Sequence, residues 1–197
     1  MIHQLAQTIV GYIGDIGYFG IFLLMFLEST FFPFPSEIIM IPAGYLAFKG
    51  EMSIYVIIFI GILGSLVGAL FNYYFALKFG RKFIISYGKY FLVSPKTLDK
   101  LEEFFTKYGE ISTFSGRLIP AIRQLISLPA GLAKMDIKKF LLYSGLGSGI
   151  WVIFLTLLGY VVGENQDLIS KYLKDATIIA LIFIVIITII YIFKRKK

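Results

Sequence analysis

Long apolar runs, rather than alternation, set the pattern of this chain. Residues 52–79, 138–163 and 176–193 are almost continuously hydrophobic, and each is close to or above the ~20 helical residues that cross a bilayer core. They predict three transmembrane helices, the last one C-terminal. Residues 1–20 differ, because polar positions and Gly11, Gly14, Gly17 and Gly20 interrupt the apolar pattern. This stretch predicts an N-terminal helix that lies at the membrane interface or begins a span, with the interfacial placement preferred. It has no basic start and no small-residue cleavage site, so it is expected to be retained rather than removed as a signal peptide.

Two further apolar segments are broken by proline and charge. Segment 21–48 contains Glu28, Pro33, Pro35, Glu37 and Pro42, and segment 111–133 contains Arg117, Pro120, Arg123 and Pro129. Each interior proline removes a backbone hydrogen bond and disfavours a helical residue before it, so neither segment suits a straight spanning helix. Both read as re-entrant hairpins, with a half-helix in, a broken tip and a half-helix out on the same side. Non-helical backbone at membrane depth is tolerated only where protein or a water-filled cavity satisfies it, which requires the tips to face an interior. Ser94, Pro95 and Gly109 punctuate a separate amphipathic linker helix over 94–109, with Leu98, Leu101, Phe104, Phe105 and Tyr108 on one stripe.

The broken segments repeat one another. Pro33, Pro42, Ala43 and Gly44 recur in register as Pro120, Pro129, Ala130 and Gly131, and the spans behind them share Gly64-Ser65 with Gly147-Ser148 and Gly80 with Gly163. The predicted architecture is an all-α polytopic membrane protein: an inverted repeat of re-entrant helical hairpin plus transmembrane helix, followed by a C-terminal transmembrane helix. Matched broken segments of this kind point to a transporter binding site. Gly61, Ser65 and Ala69, and separately Gly64 and Gly68, give faces for close helix approach, within one protomer or in a homo-oligomer.

Composition agrees with a membrane protein. The chain is 58% hydrophobic and 16% charged, against ~25% charged in soluble domains, and its mean hydropathy is +0.83. The formal charge of +7 raises the question of nucleic acid, but its distribution answers it. With the predicted crossings, the positives of 78–110, 134–139 and the tail Lys194, Arg195, Lys196 and Lys197 share one face, opposed by Lys49, Lys171 and Lys174. The positive-inside rule puts that face and the C-terminus in the cytoplasm, with no nucleic acid required. The absence of cysteine excludes disulfides and a cysteine nucleophile, and with His3 as the one histidine a zinc site is hard to build. No metal or cofactor is expected. Ser115, beside Gly116 and Arg117, lacks a histidine to activate it as a nucleophile.

Four charges remain inside the hairpins: Glu28 and Glu37 in the first, Arg117 and Arg123 in the second. Each costs roughly 2.5–3.5 kcal/mol at the bilayer centre on insertion scales, so they must be paired, hydrated or protonated. One reading is purely structural, with ion pairs that pin the hairpins together. The other is functional. Guanidinium forks suit phosphate oxygens bidentately, so Arg117 and Arg123 would hold an anionic head group, while Glu28 and Glu37 take up and release protons as it arrives and leaves.

Phe26-Leu27-Glu28, Pro33-Phe34-Pro35-Ser36-Glu37 and Pro42-Ala43-Gly44, then Phe114-Ser115-Gly116-Arg117-Leu118-Ile119-Pro120-Ala121-Ile122-Arg123 and Ala130-Gly131 with Met135, resemble the signature of the DedA family of membrane proteins, also called the VTT or SNARE-associated domain group. The resemblance covers roughly residues 15–165. It implies a lipid transporter of the bacterial cytoplasmic membrane with opposed re-entrant hairpins, moving undecaprenyl phosphate or, in other members, phosphatidylethanolamine. It also implies that Glu28 is the embedded acidic residue and that Arg117 and Arg123 are the two functional arginines. Pro35-Ser36-Glu37 departs from the family's more frequent Pro-Gly-Asp. The remaining alternatives are a lipid-phosphate phosphatase and a structural scaffold.

Overall fold

The computed structural model describes residues 2–30, 35–80, 95–119 and 122–164. The predicted C-terminal span at 176–193, and the tip residues Pro33 and Pro120, lie outside them. All regular structure among the described residues is helical. The helices are α1 (Ile2–Glu28), α2 (Glu37–Phe48), α3 (Ile54–Phe75), α4 (Pro95–Leu118), α5 (Ile122–Leu125), α6 (Ser127–Leu132) and α7 (Ile137–Val161). A π turn, Ala76–Gly80, extends α3, and a 3₁₀ turn, Val162–Glu164, follows α7.

Among the described residues, three segments are long and apolar enough to cross a membrane: Val10–Glu28, Ile54–Gly80 and Ile137–Val161. The second and third match the predicted spans. The first overlaps the stretch expected either to lie at the interface or to begin a span, and only one of its glycines interrupts the helix. Gly17 adopts φ 58° and ψ −154°, a conformation open to glycine alone, whereas Gly11, Gly14 and Gly20 stay helical. The eleven residues beyond Gly17 rise about 16 Å at 1.5 Å per residue, roughly half of a ~30 Å bilayer core.

A second boundary also moves. The linker helix expected to stop at Gly109 continues as α4 to Leu118, so the linker and the first arm of the second broken segment are one helix. Gly109 is tolerated in mid-helix because the room left by its missing side chain is taken up by Met135, whose sulfur would lie 3.4 Å from an added Cβ.

The described residues form two compact units. One takes residues 2–24, 35–61 and 153–164. Its centre is α2, buried continuously from Ile39 to Ala47, which has Pro42 inside it. Gly44 lies against the backbone carbonyl of Thr156, and Gly159 lies against that of Ile41. A side chain at either position would collide with main chain, so α2 and α7 pack at backbone distance.

The other unit takes residues 25–30, 62–80, 95–119 and 122–152. Its core is Ala69, Tyr73, Phe105, Ile126, Ala130 and Phe140, with the Tyr73 and Phe140 rings 4.8 Å apart and the Tyr73 hydroxyl donating to the Met135 carbonyl. Gly131 of α6 lies against the Tyr73 carbonyl, and Gly68 of α3 against that of Phe26. At Gly68 the small-residue face of α3 is therefore used within the protomer. Asp136 caps α7, its Oδ1 accepting from the backbone N–H groups of Lys138 and Lys139 at 3.0 Å each. Phe19, Tyr55, Phe59 and Phe154 are exposed, as lipid-facing side chains of a membrane protein are.

Candidate functional site

The second unit gathers three of the four predicted charged residues. Glu28 is the last residue of α1 and only 1% exposed. Its Oε1 lies 2.8 Å from Nη2 of Arg123, and its Oε2 accepts from the Ser29 hydroxyl at 3.0 Å. Both carboxylate oxygens are thus engaged where water is excluded. Arg123 comes from α5, a four-residue helix, and is held on a second side by Trp151 of α7, whose ring centroid lies 5.5 Å from the guanidinium carbon.

Arg117 has a different environment. It sits in the last turn of α4 and is 2% exposed. Its Nη2 donates to the Ser127 hydroxyl at 2.7 Å, while Nε has no partner. Among the described residues no carboxylate forms an ion pair with it, although Glu28 and Arg123 both act on it electrostatically. Its Cβ packs against Gly147 of α7, where an added Cβ would lie 2.6 Å away. The cluster of Glu28, Arg117 and Arg123 therefore carries a formal charge of +1, on a buried guanidinium. An uncompensated buried ion costs several kcal/mol even after relaxation, so the arrangement favours an anion at Arg117.

Asn72 of α3 completes the surroundings. It is fully buried, and its Nδ2 donates to the carbonyls of Ser29 at 3.1 Å and Gln124 at 3.2 Å. A polar residue this deep in a span reads from sequence as either an interhelical hydrogen-bond donor or part of a cavity lining, and the bonds to Ser29 and Gln124 match the first. Ser127, Gly147 and Trp151 are further contacts that sequence spacing does not reveal, since each acts through tertiary placement, whereas Ser29 bonds the carboxylate of its own neighbour Glu28.

Glu37, the fourth predicted charge, is not brought into this cluster. It occupies the first turn of α2 in the other unit and is half-buried. Of the predicted tip residues, Pro35 immediately precedes α2's cap, Pro42 and Gly44 lie in α2, and Pro129 and Gly131 lie in α6. Ser115 is exposed and donates back to the Ile111 carbonyl at 2.7 Å.

Apolar helices of spanning length, exposed aromatic side chains and a buried cluster of three charged residues define a helical membrane protein with a charged interior. Comparison with known sequences gives the family. The VTT domain matches residues 34–161, and the chain belongs to the VTT-domain, or DedA, family. It is 31% identical to undecaprenyl phosphate transporter A of Bacillus subtilis, covering 98% of this chain and 96% of that protein. The transporter of the same name from Staphylococcus aureus is 32% identical, covering 98% and 99%. A Lactococcus lactis IL1403 protein named alkaline phosphatase-like is 34% identical, covering 98% and 94%. No solved structure matches the chain.

Proposed function

We propose that this protein moves a phosphate-headed lipid, undecaprenyl phosphate or a close polyprenyl relative, across the bacterial cytoplasmic membrane, with its C-terminus cytoplasmic. The observation that carries the reading is the buried Arg117 guanidinium, which among the described residues has no ion-paired carboxylate and no hydrogen-bond partner at Nε. Full-length similarity to two transporters of undecaprenyl phosphate supports it.

The broken segments are read as re-entrant hairpins of an inverted repeat. In support, α2, α5 and α6 have 12, 4 and 6 residues, and all are shorter than the ~20 needed to cross. Gly44 and Gly131 meet helix backbones in the same way. Pro33 and Pro120, matched in the repeat, and Pro35 just before α2 are assigned to shaping the tips, while Pro42 and Pro129, also matched, sit inside α2 and α6, where each removes one backbone donor.

Arg117 is the resting phosphate site, and Arg123 joins it when its pairing with Glu28 opens. Proton coupling follows from charge balance. With Glu28 ionised the cluster is +1; with Glu28 protonated it is +2 and Arg123 is released. A phosphate monoester head carries between one and two negative charges, so taking up a proton together with the lipid keeps the buried site near neutrality. Glu37 serves as a second proton-handling carboxylate outside this cluster.

The test is transbilayer movement of a labelled polyprenyl phosphate in proteoliposomes. Arg117→Gln is expected to abolish movement while the protein remains folded, and an imposed proton gradient is expected to change the wild-type rate. Wild-type movement by folded Arg117→Gln overturns the site. Equal movement of labelled phosphatidylethanolamine makes the substrate phospholipids in general. The name of the Lactococcus relative favours a second reading, lipid-phosphate hydrolysis, which release of inorganic phosphate in the same vesicles would establish.

A further inference from the structure

We infer that Asn72 is a positioning residue that sets the geometry of the Glu28–Arg123 pair, and through it the proton dependence of transport; this rests on the transport reading above. A primary amide nitrogen carries two N–H donors, and the Asn72 nitrogen meets two backbone carbonyls from different elements. One belongs to Ser29 and the other to Gln124, the residues that directly follow Glu28 and Arg123. A single buried side chain thus bridges the carbonyls of the residues that follow both members of the ion pair.

Both attachment points lie where helices end. Ser29 is just past the end of α1, and Gln124 lies in the last turn of the four-residue α5. Carbonyls at helix ends lack intrahelical donors, and at membrane depth there is little water to supply them. Since both neighbours are acceptors, the amide must present nitrogen to them, which fixes its orientation. Asn72 Oδ1 then has no partner and is buried, so one acceptor is left unsatisfied while both donors are engaged. Asn72 itself is anchored on α3, where Gly68, one turn earlier, lies against the Phe26 carbonyl and the Ser29 side chain. The α3 face that carries the amide is thereby seated on the end of α1.

The mechanical consequence is specific. Ser29 and α5 are joined through the Asn72 amide as well as through the 2.8 Å ion pair. Loss of the amide donors leaves the charges present but lets the carboxylate and guanidinium separate and be hydrated, so the protonation event that opens the pair shifts and loses its sharpness.

The experiment combines Asn72→Leu, which keeps volume and removes both donors, with Asn72→Asp, which keeps shape and replaces the donating nitrogen by oxygen. Each is purified in detergent, and folded monodisperse protein is reconstituted. Per folded molecule, both are expected to slow labelled polyprenyl phosphate movement at least tenfold and to displace or flatten its pH profile, with Asn72→Gln restoring part of the profile. A structural role alone would lower the yield of folded protein and leave the pH profile of the folded fraction as in wild type; that result overturns the inference. A double-mutant cycle on thermal stability, Asn72→Leu against Glu28→Gln, needs no substrate and is expected to be non-additive. An additive cycle overturns the positioning role even if wild type transports. A non-additive cycle with no lipid movement by wild type overturns the transport reading and leaves the positioning role standing.

Discussion

Replacing Glu28 by Gln removes one charge and almost no volume, which isolates the electrostatics of the cluster. In the wild type the three buried charges total +1; in Glu28→Gln they total +2, with two guanidinium groups and no carboxylate among the three. Removing one member of a buried pair costs about 3–5 kcal/mol. The Gln amide oxygen still accepts a neutral hydrogen bond, so the lower end, about 3 kcal/mol, applies. For a chain of this size that corresponds to a fall in Tm of roughly 6–12 °C at about 2–4 °C per kcal/mol. Arg123→Gln is the informative comparison, because it leaves Glu28 and Arg117 and hence a neutral cluster. It is expected to cost less than Glu28→Gln, and the double variant is expected to recover part of the Glu28→Gln loss. The Glu110–Lys139 pair is the internal control, 2.6 Å apart and shorter than the buried pair at 2.8 Å, but with side chains 42% and 60% exposed. Glu110→Gln should change Tm little, as exposed pairs do. Thermal unfolding of detergent-solubilised protein at neutral pH reads all four. If Arg123→Gln costs as much as Glu28→Gln, or Glu28→Gln no more than Glu110→Gln, the charge reasoning is refuted.

Gly147→Ala should destabilise by about 1–3 kcal/mol, because its Cβ would meet the Arg117 Cβ at 2.6 Å and the Phe114 carbonyl at 2.9 Å; Gly149→Ala, which meets only an Ile62 methyl at 3.5 Å, should be nearly silent in the same thermal assay. Gly44→Ala and Gly131→Ala place a methyl group against backbone carbonyls and should lower the yield of folded protein more than Gly11→Ala, whose added Cβ meets nothing within 4 Å. Hydrogen bonds from Lys139 and then Tyr143 hold the Glu110 carboxyl below its ordinary value of 4.5. The associated stability is present above that value and is lost as pH falls through the lowered one, so a Tm titration should show a small acid-side loss that Glu110→Gln removes.

The charged residues and broken segments are legible in the sequence because each violates a strong rule: prolines in an apolar run, and ionised groups where a bilayer core is expected. Their pairing is not. Glu28 chooses Arg123 over Arg117 because α4 continues through Gly109 and carries Arg117 onto Ser127 and Gly147, whereas Arg123 belongs to the short helix beyond. Gly109 reads as a stop signal, but Met135 fills the space beside it, a tertiary effect that local sequence does not contain. In α1 the reverse holds. Four glycines suggest a weak interfacial helix, and only Gly17 bends, since the remaining three keep helical dihedrals. Asn72 reads from sequence as an interhelical hydrogen-bonding or cavity-lining residue, but the groups it meets are not legible there, because its two acceptors come from positions more than forty residues away on either side.

The stacking of Arg123 on Trp151 gives the protein an optical signal of its own. The chain has a single tryptophan, so its indole emission arises at one place, under the guanidinium paired with Glu28. Opening of that pair, whether by proton, by phosphate or by substitution, changes the polarity and charge beside the ring. Unlabelled protein in an ordinary fluorimeter therefore reports on the event assigned to transport, and a stopped-flow trace can time it against the movement of the lipid.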